Sequence, residues 1–355
     1  MATATFEGVK ITGMACAVPT KVESIYDYEE LFGKEHVEKF IATTGVRERR
    51  RVHKKQTCSD LCCEAAEKLI AHKGYDKDSF DALFFVTQSP DYGTPATAHI
   101  LHLRLGLSKN CMVFDVNLGC SGFVYGVNVA AAMIKSGAYK RVLVCCGDAF
   151  VDHGLVDEDK GTSMLFGDAG SVMILEEGDD TIHTLLKADG EGYQAIISPG
   201  LGARVDVDLK DLENLNLDLF QAQMDGSAVF EFAIAQVPRS FKEFFKTFGG
   251  TIQDYDYCVF HQANLFMLEH IRKKIKLLPE RMPISMDRYG NTSSVSIPMT
   301  ITDLIGREDC PEKIHFISSG FGIGLSWGVA DFVMDKKDIL PIIETDSYFE
   351  AAFRG

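Results

Sequence analysis

The residues of this 355-residue chain best suited to chemistry are a cysteine, a histidine and an asparagine, each set at a junction leading into a helix-like segment. Cys120 stands in DVNLGCSGF, after a strand-like run and at the head of an apolar helix-like stretch. A helix N-terminus presents free N–H groups and a positive dipole end, so this placement predicts a lowered thiol pKa and an attacking thiolate. Gly119 and Gly122 permit a sharp turn there and the close approach of a substrate. The bland alternative is a small buried hydrophobe, the usual fate of a free cysteine. His261, in VFHQAN, ends a strand-like run, where a neutral imidazole can donate to a carbonyl oxygen or exchange a proton near neutral pH. Asn291, in RYGNTSSVS, could donate to the same oxygen without titrating, although a loop asparagine is more often a turn residue. The glycine-rich GFGIGLSWG (320 to 328) follows a strand-like run and could supply backbone N–H groups to an oxyanion.

Positioning such groups requires a frame, and the pattern predicts an α/β one. VKITGMACAVP reads as an opening strand; a helix is expected over Tyr26 to Thr43, then the basic run 47 to 51, then an amphipathic helix capped by Ser59 and Gly74. ALFFVTQS, CMVFDVN and RVLVCCGD are continuous apolar runs of strand length, the signature of strands covered on both faces. Between the last two, SGFVYGVNVAAAMIKSGAYK is apolar almost all round, as expected of a helix at the centre of the molecule. A strand at SVMILEE, a long helix, strand CVFH, helix NLFMLEHIRKKIK and strand KIHFISS repeat the theme. Two halves are therefore expected, 1 to 178 with the cysteine and 179 to 355 with the histidine and asparagine. The second includes a glycine- and proline-rich cap loop (187 to 225) and a C-terminal extension (336 to 355).

Composition narrows the function. A formal charge of -15 repels a phosphate backbone and argues against a nucleic-acid partner. No apolar run is long enough to span a bilayer and the first residues lack a signal-peptide plan, so a cytoplasmic protein is expected. The ten cysteines then read as reduced thiols. Cys58, Cys62 and Cys63 share a helix but lack a second ligand pair at zinc spacing, so no metal site is expected.

In chain order, the phrases DVNLGCSGF, FGDAGS, FHQAN, RYGNTSS and GFGIGLSWG together resemble ketoacyl-acyl-carrier-protein synthase III of the thiolase superfamily, over about Val9 to Phe332. The resemblance implies a duplicated five-layer αβαβα thiolase fold, a homodimer, and no permanently bound cofactor. It further implies that Cys120 takes an acyl group from an acyl-CoA or acyl-carrier-protein thioester. His261 and Asn291 would then bind the carbonyl oxygen of malonyl-carrier protein during decarboxylative condensation in fatty-acid or related lipid or polyketide synthesis. The amides of Cys120 and Ile323 would form the other oxyanion hole, with Gly322 and Gly324 around it. Asn264 would steady the site, and Phe166, Gly167 and Asp168 would border the pocket.

The chain also departs from the family pattern. Lys39 and Thr43 replace a Trp and an Arg that commonly grip coenzyme A, and Phe266 replaces an Arg after HQANL. Arg272, Lys273, Lys274 and Lys276 form a basic cluster that partly matches the family's docking face for acyl carrier protein, or else an ordinary solvated helix face. Thr94 replaces a bulkier pocket residue, so acyl chains longer than acetyl are expected. Two other readings stay open at this level: an acyltransferase forming an ester or amide from the same acyl-cysteine, and a non-catalytic thiolase-fold scaffold. A hydroxymethylglutaryl-CoA synthase is disfavoured, because no glutamate sits in an assignable motif.

Overall fold

The computed structural model describes residues 2–150, 162–204, 217–220 and 222–350. Its first part contains β1 (Ala2–Val18), α1 (Lys34–Thr44), α2 (Cys58–Lys73), β2 (Ala82–Val86), α3 (Thr97–Leu105), β3 (Met112–Val116), α4 (Gly122–Lys135), β4 (Arg141–Asp148) and β5 (Ala169–Ala188). The remainder adds α5 (Gly226–Phe248), β6 (Tyr257–Phe260), α6 (Leu265–Lys274), α7 (Ser296–Arg307), β7 (Lys313–Gly322), β8 (Ser326–Asp335) and β9 (Ile343–Glu344).

The strands assemble as two sheets joined by two long shared strands. In the first sheet β2 lies parallel to β3 and β4; β4 then runs antiparallel to Ala169–Glu176 of β5. In the second, β6 lies parallel to β7, β7 antiparallel to β8, and β8 antiparallel to His183–Ala188 of β5. β1 pairs antiparallel with β5 along nearly its whole length, from Ala2 opposite Leu186 to Ala17 opposite Gly170. A register shift between Glu7 and Val9 bends β1 where the sheets meet, at Gly8, whose φ of 78° suits glycine. The expected boundary at 178 falls inside β5, and β5 runs on through the polar EEGDDTIHT, longer than the SVMILEE strand expected.

Three layers of helix sandwich the two sheets, giving the αβαβα thiolase fold. At the centre, Phe123, Val124 and Val127 of α4 share one core with Ile297, Met299, Ile301 and Leu304 of α7. Gly126 lets α4 approach β4, since a Cβ there would lie 3.3 Å from Val144 Cγ1. The layer outside the first sheet is packed by Leu61, Cys62, Ala65, Ala66 and Leu69 of α2. The layer outside the second is aromatic: Phe232, Phe241 and Phe244 of α5 pack with Phe260 and Trp327. Each fully buried Phe, Ile or Leu contributes roughly 1.5–3 kcal/mol relative to exposure, so these three cores fix the loops between them.

The expected helix from Tyr26 to Thr43 is interrupted: Gly33, at φ 86°, separates Glu29–Phe32 from α1. The C-terminal extension docks on its own chain. The Gln56 amide donates to the carbonyls of Thr345 and Ser347, and the Phe349 N–H to Asp60. No helix among the described residues is long and apolar enough to cross a membrane.

Candidate active site

Cys120 occupies the turn between β3 and α4, closed by a 2.6 Å bond from the Gly122 N–H to the Gly119 carbonyl. The end of β7 presses against it: a Cβ on Gly322 would sit 2.5 Å from Cys120 Cβ and 2.9 Å from its Sγ. The turn is tied to the second half by a 2.6 Å hydroxyl pair between Ser121 and Ser326. Cys120 as a residue keeps partial exposure, unlike the other nine cysteines, all buried.

His261 extends β6 by one residue, its N–H donating to the Ser319 carbonyl at 2.9 Å. The ring is almost fully buried and stands edge-on to Phe321. Its Nδ1 lies 3.2 Å from the Ser293 carbonyl, which can only accept, so Nδ1 carries the proton of the neutral ring and Nε2 carries a lone pair. Burial pulls the imidazole pKa down to about 4 against the opposing pull of that carbonyl. His261 is therefore neutral at pH 7.

Asn291 is pinned through its backbone. Its N–H donates to the Leu165 carbonyl at 2.9 Å and its carbonyl accepts from the Gly167 N–H at 3.1 Å. Phe166 thus pairs with Asn291 as a one-residue bridge, and Gly167 must be glycine because a Cβ would fall 1.9 Å from the Tyr289 carbonyl oxygen. Asp168 anchors the same loop, accepting from the N–H groups of Phe150 and Val52. Asn291 Oδ1 accepts from the Ser293 N–H at 2.9 Å. Among the described residues Asn291 Nδ2 and His261 Nε2 have no protein partner, and neither is sealed from solvent.

One residue joins all three groups. Ser293, in the left-handed region at φ 51°, gives its carbonyl to His261 and its N–H to Asn291, and its hydroxyl oxygen lies against the Cys120 turn, 3.0 Å from where a Cβ on Gly119 would stand. Left-handed backbone costs a serine roughly 1–2 kcal/mol, and the surrounding contacts hold it. Sequence reasoning passed over Ser293 although the phrase containing it was singled out. Its work is done by backbone geometry, which residue type does not announce.

The expected lowered thiol pKa is corrected. Burial first, and then the Asp148 carboxylate, push the Cys120 thiol up to about 11, against the stabilising N–H groups of Ile323 and Cys120 and the Ser293 hydroxyl. Desolvation outweighs the helix end. Cys120 therefore rests as a thiol and needs a base.

Outer residues divide. Asn264 Oδ1 caps α6 by accepting from the Met267 N–H at 2.8 Å. With Thr43, Phe230, Glu231, Phe266 and Met267 it lines a cleft of about 360 Å³. Phe266 is exposed and stacks on Phe230, and Lys39 is exposed on α1. Gly324 is exposed beside Ile323. In the basic cluster, Arg272 is committed to Glu269 and to the Leu277 carbonyl, and Lys274 reaches the Ile234 carbonyl; Lys273 and Lys276 remain exposed. Thr94 lies in an exposed loop.

Comparison with known proteins gives this geometry its context. Residues 114–190 match the family model "3-Oxoacyl-[acyl-carrier-protein (ACP)] synthase III" and residues 246–333 match its C-terminal counterpart. The beta-ketoacyl-[acyl-carrier-protein] synthase III of Symbiobacterium thermophilum is 32% identical over 324 residues, covering 90% of this chain and 96% of that one. That of Streptococcus equi subsp. zooepidemicus is 34% identical over 325 residues, covering 90% and 97%. The crystal structure of a 3-oxoacyl-(acyl-carrier protein) synthase from Burkholderia xenovorans superposes with a TM-score of 0.87 at 36% identity, covering 97% of this chain and 99% of that one. With the fold shared end to end and about a third of residues identical, this chain belongs to the beta-ketoacyl-[acyl-carrier-protein] synthase III family.

Proposed function

We propose that this chain is a β-ketoacyl-acyl-carrier-protein synthase III that carries an acyl group on Cys120. The observation that supports this most is the convergence of the Cys120 turn, His261 and Asn291 on Ser293. His261 Nε2, the unprotonated nitrogen, takes the thiol proton as the sulfur attacks the thioester carbonyl of an acyl-CoA or acyl-carrier protein. The N–H groups of Cys120 and Ile323 hold the oxyanion. As the tetrahedral intermediate collapses, the departing thiolate recovers the proton and His261 returns to its neutral form.

Malonyl-carrier protein then enters. Asn291 Nδ2 donates to its thioester carbonyl oxygen, a contribution of about 3–4 kcal/mol for a well-placed donor. Carbon dioxide departs, the enolate carbon attacks the acyl-cysteine, and the C–S bond to Cys120 breaks; the released thiolate takes up a proton from solvent. In the tautomer held by Ser293, His261 can donate to that oxygen only as an imidazolium, so Asn291 carries the steady donor role.

The exposed Lys273 and Lys276 are the docking charges for an acidic carrier protein, and Thr94 borders the acyl pocket across a homodimer interface. The edge strand β3, paired only with β2 among the described residues and carrying half-exposed Phe114 and Val116, supplies the face for that symmetric pairing. Incubating the protein with acyl thioesters and reading intact mass tests the first step; adding malonyl-carrier protein and measuring carbon dioxide tests the second. Acyl-Cys120 without carbon dioxide release would favour ester or amide formation, and no acyl mass would favour a scaffold.

A further inference from the structure

The buried ionisable group that no step above employs is Asp148, the last residue of β4. It is 3% exposed, and among the described residues no cation pairs with it. Its partners are donors from two turns. Oδ1 accepts from the Gln88 N–H at 2.8 Å and the Thr87 hydroxyl at 3.4 Å, both just beyond β2. Oδ2 accepts from the Ser294 hydroxyl at 2.9 Å and the Ser294 N–H at 3.4 Å, on the turn that carries Asn291. A carboxylate surrounded by donors is the arrangement its charged form requires. Gln88 in turn abuts the nucleophile's own turn, since a Cβ on Gly119 would lie 2.3 Å from Gln88 Oε1.

The Ser293 hydroxyl oxygen lies against the nucleophile's turn as well, 3.0 Å from where a Cβ on Gly119 would stand. Burial raises the pKa of the Asp148 carboxyl, and the donors of Gln88, Ser293 and Ser294 oppose that rise. The other ionisable side chains facing Asp148 are Cys58, Cys62 and Cys146, all buried thiols, so the carboxylate is the charge acting on the sulfur.

We infer that Asp148 is a positioning residue for the nucleophile. Through Thr87, Gln88 and Ser294 it clamps the Asn291 turn to the end of β2, whose Gln88 abuts the Cys120 turn. Only the role of Cys120 as nucleophile rests on the proposed function. The test needs no substrate, so its outcome is separable from that reading.

Iodoacetamide labelling of Cys120 in the full chain, with the rate read by peptide mass from pH 7 to 12, measures the claim. Asp148→Asn is expected to move the labelling midpoint to lower pH and to speed labelling at pH 7.5 about threefold or more, half a pH unit in a tenfold-per-unit titration. Ser294→Ala removes a neutral donor from the same carboxylate and should leave the midpoint in place. A folded Asp148→Asn protein with an unchanged or raised midpoint overturns the inference. Should that variant not fold, Asp148→Glu carries the test. It keeps the charge, so its midpoint should stay within about half a pH unit of the parent's, and a midpoint lowered by more than that overturns the inference.

Discussion

The two halves of the molecule place different chemistry at corresponding positions. β2 and β6 each lie parallel to the strand that follows the buried central helix of their half, β4 and β7 respectively. At the end of β2 stand Thr87 and Gln88, which serve the Asp148 carboxylate; at the end of β6 stands His261. Ahead of α4 comes Cys120, and ahead of α7 comes the turn of Asn291 and Ser293. One frame, used twice, thus sets the candidate nucleophile in the first half and polar groups around its turn from the second. The difference teaches that duplication here yields complementary parts, because the paired central helices bring both turns to one place.

The largest way to break this division is to empty the second half. His261→Ala and Asn291→Ala are each expected to lower condensation with malonyl-carrier protein by roughly 100-fold or more. Asn291→Ala should still accept the acyl group, read as added mass on Cys120, whereas His261→Ala should also slow that step. Equal loss of both steps in both variants would contradict the separation of roles.

Gly322→Ala attacks the seam between the halves, since its Cβ would meet Cys120 Cβ at 2.5 Å. Overpacking of this kind costs about 1–3 kcal/mol, and acylation of Cys120 should fall at least as strongly as stability. A variant with the parent's acylation rate would show that the contact relaxes freely.

A pH series sharpens the comparison further. The folded-state pKa of His261 is held below its unfolded value near 6.5, at about 4, by burial. Its stabilising contribution is therefore complete above pH 6.5 and is lost as pH falls toward 4, by up to about 3 kcal/mol. Melting temperature should drop between pH 7 and 4.5, and His261→Gln should flatten that drop. The smallest effect belongs to the aromatic outer layer: Ser240→Ala removes the acceptor of the 2.8 Å bond from Trp327 Nε1 and should cost about 1–3 kcal/mol in denaturant unfolding with little change in acyl transfer.

Much of the architecture was legible because the buried strands and α4 are apolar without interruption, a pattern that few exposed segments can imitate. The long strands were read short. EEGDDTIHT and ATATFE carry charge and hydroxyls at half-covered positions, where pairing between β1 and β5 supplies what composition does not advertise. Gly33 broke an expected helix because its backbone conformation is invisible in a run of helix formers. At the candidate site, type and spacing single out Cys120, His261 and Asn291, but not Ser293 or Asp148. A carbonyl aimed at a ring and a carboxylate gathering N–H groups are properties of assembled loops. The thiolate expectation failed for a related reason: a helix end can be inferred from a string of letters, while the desolvation opposing it arises only once β7 and the Asn291 turn close over the sulfur.

β1 and β5 bind more than neighbouring strands. Each crosses from one sheet into the other, so a cut near residue 178 would sever a common girder instead of a tether. Fragments produced separately would each expose long ribbons of unsatisfied amides and should aggregate unless co-expressed. Among the described residues, swinging the lobes apart would have to break this shared pairing, so the turns carrying Cys120, His261 and Asn291 are held to one another by the same girder.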